Sequence, residues 1–235
     1  MNSCMPVFAL ACDYDETLAS EGRAAPPVWE ALARFKAAGG KATLVTGREL
    51  EDLVKVAPEL NLFDFVVAEN GAVLYRPADG KTQSLANPPS QPFIARLQQL
   101  GVRPVSVGRS IVATLRQHAG VVEGTISEMQ LDLEIALNRS SLMILPKGVN
   151  KGTGLRLALE QMHCPMERAI GVGDAENDSA FLTLCGIYVA VANAIPSIQQ
   201  AADWVTDQPS GAGVVEVINR IMNGDLDPVR RSSSP

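Results

Sequence analysis

The amino-acid sequence predicts an α/β protein with a Rossmann-like, doubly wound parallel-sheet core and a small inserted α+β cap domain. Short apolar segments alternate with helix-like segments at both ends of the chain, which is typical of a parallel sheet with helices on both faces. Between them the pattern changes to helices followed by strands of alternating polarity. We predict a core domain from residues 1–79 and 148–225, a cap from 80–147 and a flexible tail from 226–235.

The N-terminal part of the core contains short, fully apolar runs that fit buried strands. Pro26 and Pro27 favour the start of a helix after the first run, because proline is tolerated in the first helical turn, and the glycines at 39 and 40 end it. A second helix begins at Leu50. The predicted strands are Val7–Cys12, Lys41–Thr46 and Phe65–Ala68.

The same alternation returns after residue 150 and predicts the second half of the core sheet. Two apolar runs there have the length of buried strands, and the segments around them have helical periodicity. The predicted strands are Ala169–Val172 and Ile187–Val191, and the predicted helices are Lys151–Met162, Ser179–Leu184, one after Pro196 and Val214–Met222.

The cap is predicted from a different pattern. Helices are expected at Phe93–Leu100 and Ser110–His118. From residue 131 to 137 leucine and isoleucine alternate with polar or small residues, which indicates a strand with one solvated face. The turn residues 138–140 then lead to a partner strand at Leu142–Leu145.

The composition is that of a globular protein whose main partner is not a polyanion. Of 235 residues, 46% are hydrophobic and 20% are charged. The formal net charge of −6 argues against nucleic acid or an anionic membrane as the main partner. The apolar run Met5–Cys12 is too short for a membrane span, and it lacks the basic segment that begins a signal peptide, so we expect a cytoplasmic protein. Cysteines 4, 12, 164 and 185 lack the spacing of a zinc site or a disulfide framework.

Four polar clusters lie where predicted strands end or where a predicted helix begins. In an open parallel sheet, ligands bind at the carboxyl ends of the strands. Each cluster contains residues that carry charge or bind phosphate. The clusters are Asp13-Tyr14-Asp15-Glu16-Thr17, Thr46-Gly47-Arg48, Lys151, and Gly173-Asp174-Ala175-Glu176-Asn177-Asp178.

These clusters predict a metal-dependent phosphoryl-transfer site. Asp13, Asp15, Asp174 and Asp178 would place four carboxylates around one crevice, which is strongly unfavourable unless a cation lies between them. Oxygen ligands without His or Cys suit magnesium better than zinc. Basic side chains at 48 and 151 would supply positive charge for a phosphate.

The ordered motifs Asp-x-Asp-x-Thr after an apolar strand, then Thr, then Lys, then Gly-Asp-x-x-Asn-Asp resemble those of haloacid dehalogenase (HAD) hydrolases. The resemblance covers nearly all of residues 5–222. The stretch Ala68–Tyr75 and the long insert after Arg48 resemble the Cof-type branch, to which phosphoglycolate and sugar-phosphate phosphatases belong. A small phosphorylated metabolite of this kind is therefore the expected substrate, and a monomer or homodimer without nucleic-acid or membrane partners is the expected state.

The resemblance also implies roles for individual residues. Asp13 attacks phosphorus and becomes phosphorylated, while Asp15 protonates the leaving group and then activates water. Magnesium is held by Asp13, the backbone carbonyl of Asp15 and Asp174, with Asp178 close by. The residues expected to hold or place the phosphoryl group are Thr46, Gly47, Arg48, Lys151 and Asn177. Glu16 departs from the family pattern, which often has glycine at this position.

Three alternatives remain open at the sequence level. A phosphomutase has the same chemistry, and a capped protein that only binds phosphorylated ligands has no need of Asp15. A receiver-like phospho-signalling module has an acidic pocket, a Thr and a Lys, but such modules lack a cap and the second aspartate. Specificity is expected from the cap, where Arg103, Arg109, Arg116 and Arg139 are candidates to recognise a carboxylate or a second phosphate.

Overall fold

The computed structural model describes residues 8–226. The predicted tail lies outside this range except for Leu226, which is buried against the core. The left-handed residue Gly224 ends the last helix and allows the chain to turn back, which brings Leu226 to the core.

Within residues 8–226, twelve strands form one sheet of eight strands and one of four. The strands are β1 (Ala9–Cys12), β2 (Lys41–Val45), β3 (Phe65–Ala68), β4 (Val73–Arg76), β5 (Lys81–Ser84), β6 (Ser106–Val107), β7 (Val112–Leu115), β8 (Leu133–Asn138), β9 (Ser141–Pro146), β10 (Ala169–Gly173), β11 (Ile187–Ala190) and β12 (Trp204–Val205).

Eight α-helices belong to the same described range. The helices are α1 (Pro26–Ala37), α2 (Leu50–Val56), α3 (Gln91–Gln99), α4 (Ala119–Glu128), α5 (Lys151–Gln161), α6 (Ser179–Leu182), α7 (Pro196–Ala201) and α8 (Ser210–Asn223).

The large sheet has the strand order β12-β11-β10-β1-β2-β3-β4-β5. All pairs from β12 to β3 are parallel, which confirms the predicted core. Strand order reverses at β1, and because β-α-β crossovers are right-handed, helices on the two sides of the reversal cover opposite faces. Helix α1 packs against α8, and α5 packs against α6.

Strands β4 and β5 extend the sheet in antiparallel pairing and were not predicted. Strand β5 consists of exposed residues, Lys-Thr-Gln-Ser, so it carries none of the apolar pattern by which a strand is recognised. It is held by backbone hydrogen bonds to β4 at the edge of the sheet, where such polar strands are common.

The small sheet, with order β6-β7-β9-β8, is antiparallel throughout and forms the predicted α+β cap with α3 and α4. The predicted hairpin is confirmed as β8–β9, whose register pairs Leu137 with Leu142. The cap has its own apolar cluster, built from Phe93, Leu97 and Val122 on the helices and from Val112 and Ile144 on the strands. The domain boundaries after residues 79 and 147 stay a prediction.

The helix predicted at Ser110–His118 is wrong. This segment contains strand β7, which pairs with β9, and a 3-10 turn at Arg116–His118, while helix α4 follows at residues that were not predicted to be helical. The Val-Ala-Thr-Leu run of β7 buries alternate residues against a strand about 30 residues further along the chain, as β-branched residues favour. Two glycines and several β-branched residues weaken the local helical signal of α4.

Candidate active site

Four neighbouring strands of the core sheet end at one edge, and the polar clusters follow them there. Along this edge the residues follow the order of the strands, β10-β1-β2-β3. They are Asp174, Asp13, Thr46 and Glu69. Backbone hydrogen bonds extend the pairing beyond the strands, from Asp13 N to the carbonyl of Val172 (3.0 Å) and from Thr46 N to that of Val67 (2.8 Å). The sheet therefore brings together residues that are distant in the chain.

Lys151 lies at the start of α5 and is fully buried. Asn150 caps this helix by accepting hydrogen bonds from the backbone N–H groups of residues 152 and 153. The Lys151 Nζ atom donates to Asp13 Oδ1 at 2.5 Å and to Asp178 Oδ1 at 2.6 Å. These two ion pairs raise the pKa of the ammonium group against the opposing effect of burial, so Lys151 is a permanent cation in this site.

The start of α5 comes close to the edge of the sheet because Gly71 has no side chain. Gly71 has a φ of 105°, and a Cβ atom there would overlap the carbonyl group of Asn150. Only glycine satisfies both the positive φ and the close approach. The Gly71 turn thus places Lys151 beside the strand ends.

Three carboxylates form a buried cluster among the described residues. Asp13, Asp174 and Asp178 each offer an oxygen within 4.8 Å of the others. Burial raises the pKa of Asp13 and of Asp174, and the Asp178 carboxylate raises both further. Asp178 is already engaged, since Oδ2 accepts from the backbone N–H groups of residues 174 and 175 while Oδ1 accepts from Lys151.

The expectation of four carboxylates around one crevice is wrong for Asp15. Its carboxylate lies outside the cluster and forms a two-pronged ion pair with Arg48, with Nε at 2.7 Å from Oδ2 and Nη2 at 2.6 Å from Oδ1. The guanidinium group of Arg48 also stacks over the buried ring of Tyr14, 5.4 Å from its centroid. The planar guanidinium matches a carboxylate in this way, so Arg48 engages Asp15 here, and its predicted role toward the phosphate stays a prediction.

The three-carboxylate cluster suits a divalent cation. All its ligand atoms are oxygens, which hard cations such as magnesium prefer. Lys151 compensates one of the three charges, so two negative charges remain for a cation to neutralise. Thr17 orients one ligand by donating its hydroxyl proton to Asp174 Oδ1 at 2.8 Å. The residues present therefore fit a divalent metal.

The remaining predicted phosphate-binding residues surround this cluster. Thr46 is buried, and its hydroxyl oxygen accepts a hydrogen bond from the backbone N–H of Arg48 at 3.1 Å. Asn177 donates from Nδ2 to Asn70 Oδ1 at 3.0 Å, whereas its own Oδ1 is buried without a partner among the described residues. Gly47 lies directly below the thioether of Met143, a residue of the cap.

The cap sheet lies over these residues and encloses a cavity of about 220 Å³. Its floor belongs to the core and contains Asp15 and Arg48. The part of the lining that comes from the cap consists of Ile111, Ala113, Asn138, Ser141 and Met143. Apolar and hydrogen-bonding groups thus face the core carboxylates from the cap.

Of the four arginines predicted as specificity candidates, Arg139 reaches the carboxylate cluster. It lies at the β8–β9 turn, and its guanidinium group forms an ion pair with Asp174 Oδ2. Arg116 pairs with Glu176 and Arg109 with Glu51 on the core, while Arg103 is exposed. Glu16, which departs from the family pattern, has a φ of 59°, the left-handed conformation that glycine adopts without strain.

Glu69 is a site residue that the sequence analysis missed. It is fully buried after β3, and its carboxylate accepts three backbone hydrogen bonds from the cap, from residues 109 (3.0 Å), 110 (2.8 Å) and 111 (3.2 Å). Burial raises its pKa, while these three donors act against the rise. Glu69 therefore joins the β6–β7 turn of the cap to the core. An acidic residue directly after a buried strand was the available signal.

The fold and the site define a capped hydrolase with an acidic, cation-binding centre. A family model described as haloacid dehalogenase-like hydrolase matches residues 10–101 and 124–218. The chain belongs to this family, as its motifs predict, and its enzyme class is that of the phosphoric monoester hydrolases. Within residues 8–226, no helix combines the length and apolar character needed to cross a membrane.

Curated relatives match most of the chain. Phosphoglycolate phosphatase 2 of Saccharolobus solfataricus is 35% identical over 92% of this chain and 93% of its own length. A phosphoglycolate phosphatase of Methanothermobacter thermautotrophicus is 30% identical over 91% of this chain and 98% of its own.

Solved structures share the fold at low sequence identity. A haloacid dehalogenase-like hydrolase from Bacteroides thetaiotaomicron superposes with a TM-score of 0.79 at 19% identity, covering 92% of this chain and 99% of its own. A HAD subclass IIB sugar phosphatase superposes with a TM-score of 0.75 at 20% identity, covering 94% and 100%. These likenesses support the capped core architecture described above.

Proposed function

We propose that this protein is a magnesium-dependent phosphatase that hydrolyses a small phosphorylated metabolite through a phospho-aspartyl intermediate on Asp13. The observation that carries the proposal is the buried contact between Asp13 Oδ1 and Lys151 Nζ at 2.5 Å. Lys151 fixes one oxygen of the carboxylate, and Oδ2 has no hydrogen-bond partner among the described residues, so it is available to attack phosphorus.

In the first half-reaction, Asp13 Oδ2 forms a bond to phosphorus and the phosphorus–oxygen bond to the leaving group breaks. Asp15 gives a proton to the departing alkoxide, which leaves as a neutral alcohol. In the present structure both Asp15 oxygens pair with Arg48, so this pair has to open and Asp15 has to take up a proton from solvent before it acts as the acid. The negative charge that develops on the phosphoryl oxygens is stabilised by the ammonium group of Lys151 and by a hydrogen bond from the hydroxyl group of Thr46.

In the second half-reaction, water attacks the phosphorus of the aspartyl phosphate and the bond to Asp13 breaks. Asp15, now ionised, takes a proton from the attacking water. The products are inorganic phosphate and the original Asp13 carboxylate. A second aspartate close to the nucleophile serves this turnover, and a receiver-like module that preserves its phosphoryl group would not need it.

Asp13, Asp174 and the backbone carbonyl of Asp15 would hold the magnesium ion. Asp178 would keep these groups in place, because it accepts hydrogen bonds from Lys151 and from the backbone N–H groups of residues 174 and 175. When bound, the ion neutralises the carboxylates and withdraws charge from the phosphoryl oxygens.

The proposed substrate is phosphoglycolate, with simple sugar phosphates as the wider class. The support comes from the names of the full-length relatives, which are phosphoglycolate phosphatases, and from the modest cavity of about 220 Å³. A cavity of this size fits a small metabolite rather than a nucleotide or a phosphoprotein loop. We further propose that the enzyme acts in the cytoplasm as a monomer or homodimer.

The test is phosphate release from a panel of phosphorylated metabolites, with and without magnesium, for the wild type and Asp13→Asn. We expect magnesium-dependent release that is highest for phosphoglycolate and at least about 1,000-fold lower in the variant, because the nucleophile is lost. Release that survives in excess chelator would contradict the metal assignment. Unchanged release by Asp13→Asn would contradict the nucleophile.

A further inference from the structure

The guanidinium group of Arg139 occupies the carboxylate cluster from the cap side. Its Nε and Nη2 atoms both contact Oδ2 of Asp174, with Nε at 3.2 Å. Asp174 is 1% exposed, whereas Arg139 is 42% exposed, so a long and partly solvated side chain reaches down to a buried oxygen. The other carboxylate oxygen, Oδ1, is engaged by Thr17.

This contact is incompatible with a metal ion on Asp174. A divalent cation and a guanidinium group on the same oxygen would repel each other at short range in a poorly solvated site. Arg139 therefore has to leave Asp174 when the cation binds. In the present structure Arg139 is the counter-ion of Asp174.

Arg139 also lines a second cavity, of about 320 Å³, which shares Asp15, Arg48 and Ser141 with the first. Arg139 and Ser140 line it from the cap, and Asp15 and Arg48 line it from the core. Both oxygens of the Asp15 carboxylate already accept hydrogen bonds from Arg48, so Asp15 is a poor ion-pair partner for Arg139. Glu16 also lines this cavity, and Glu176 lies nearby, but among the described residues neither forms an ion pair with the guanidinium group of Arg139. An anionic group brought by the substrate can therefore serve as its partner.

We propose that Arg139, once it has left Asp174, is the residue that binds the second anionic group of the substrate, a carboxylate. This inference rests on the proposed phosphatase function and identifies its specificity residue. The planar guanidinium group recognises a carboxylate through two parallel hydrogen bonds, as Arg48 does with Asp15 in the same cavity. Because Arg139 is on a two-residue turn between β8 and β9, its side chain can move without rebuilding the cap sheet.

The first test compares two substrates that differ in one group. Phosphoglycolate carries the carboxylate, and hydroxyethyl phosphate carries a neutral alcohol in its place. For Arg139→Gln we expect the KM for phosphoglycolate to rise by about 10- to 100-fold, the usual effect of losing a charge-assisted pair, with little change in kcat. The kcat/KM for hydroxyethyl phosphate should stay within about twofold of the wild type.

Arg109→Gln is the matched control. Arg109 is also an arginine of the cap paired with a core carboxylate, Glu51, but it lies away from the carboxylate cluster. It should leave both substrates unchanged. Equal losses on the two substrates in Arg139→Gln would overturn the inference, because they would indicate a structural role, and so would an unchanged KM for phosphoglycolate.

The second test needs no turnover. Magnesium alone is titrated into each protein by calorimetry, and Arg139→Gln should bind it about two- to fivefold tighter than the wild type, since a competing partly exposed ion pair is gone. Equal affinity would overturn the displacement step. A wild type that releases phosphate from neither compound would instead contradict the proposed function, so the two failures can be told apart.

Discussion

Lys151 and Asp13 lie 138 residues apart in the chain, yet their side chains meet at 2.5 Å in a buried site. The same ammonium group contacts Asp178 at 2.6 Å. One cation thus bridges two of the three carboxylates, and the third, Asp174, pairs with Arg139 in this structure. Both the stability and the chemistry of the site depend on this arrangement.

Lys151→Met should therefore destabilise the protein strongly. The substitution leaves Asp13 and Asp178 buried without their cation, and removing one partner from a buried ion pair costs about 3–5 kcal/mol. The measurement is urea-induced unfolding in the presence of a chelator. Lys55→Met is the control, since Lys55 pairs with Asp52 on the surface and its loss should leave the free energy of unfolding nearly unchanged. Equal costs for the two variants would contradict the buried pair.

Asp13→Asn should change how stability depends on pH in the metal-free protein. Burial raises the pKa of Asp13 in the folded state, so the folded protein keeps its proton longer than the unfolded chain does. Its contribution to stability is therefore complete below the ordinary carboxylate pKa and is lost as pH rises through the raised value. The asparagine variant has no carboxyl group at this position, so its stability does not fall with rising pH for this reason.

The measurement is the free energy of unfolding of the wild type and of Asp13→Asn in the presence of a chelator, from below the ordinary pKa of a carboxyl group to neutral pH. We expect similar stabilities at the acidic end and a variant that is more stable than the wild type at neutral pH. Parallel curves for the two proteins would show that Asp13 is not perturbed by burial.

Glu69→Ala should loosen the attachment of the cap to the core. The substitution removes the acceptor of three backbone N–H groups at residues 109–111, and each buried donor left without a partner costs on the order of 1–3 kcal/mol. Amide hydrogen exchange should accelerate at these positions. Glu51→Ala, which removes an exposed pair with Arg109, should leave exchange at residues 110 and 111 unchanged. Unaltered exchange in Glu69→Ala would contradict the anchoring role.

The parallel core could be predicted because its strands are short, uniformly apolar and separated by helical segments of regular length. Their carboxyl ends carry the polar clusters, and the topology rule for open sheets then brings distant residues such as Asp13 and Asp174 to one edge. The metal-ligand candidates followed from residue type alone, since several aspartates in one crevice require a cation.

What could not be predicted depends on contacts that have no local pattern. Strand β7 is stabilised by pairing with β9, so its residues were mistaken for a helix. The Arg48–Asp15 pair and the Glu69 anchor arise from side chains that meet only after the sheet and the cap have formed. Likewise, nothing in the spacing of the cap arginines distinguishes Arg139 from Arg109, although only the first lies above the carboxylate cluster.

The most direct test of the account is to trap the phosphoryl group on the enzyme. Asp15→Asn lacks the base that activates water, so after incubation with phosphoglycolate and magnesium it should accumulate one phosphoryl group, located by peptide mass spectrometry on Asp13. The group should be released by hydroxylamine, as an acyl phosphate is, and the Asp13→Asn/Asp15→Asn double variant should carry none. A phosphoryl group on any other residue, or equal labelling of the double variant, would contradict Asp13 as the nucleophile.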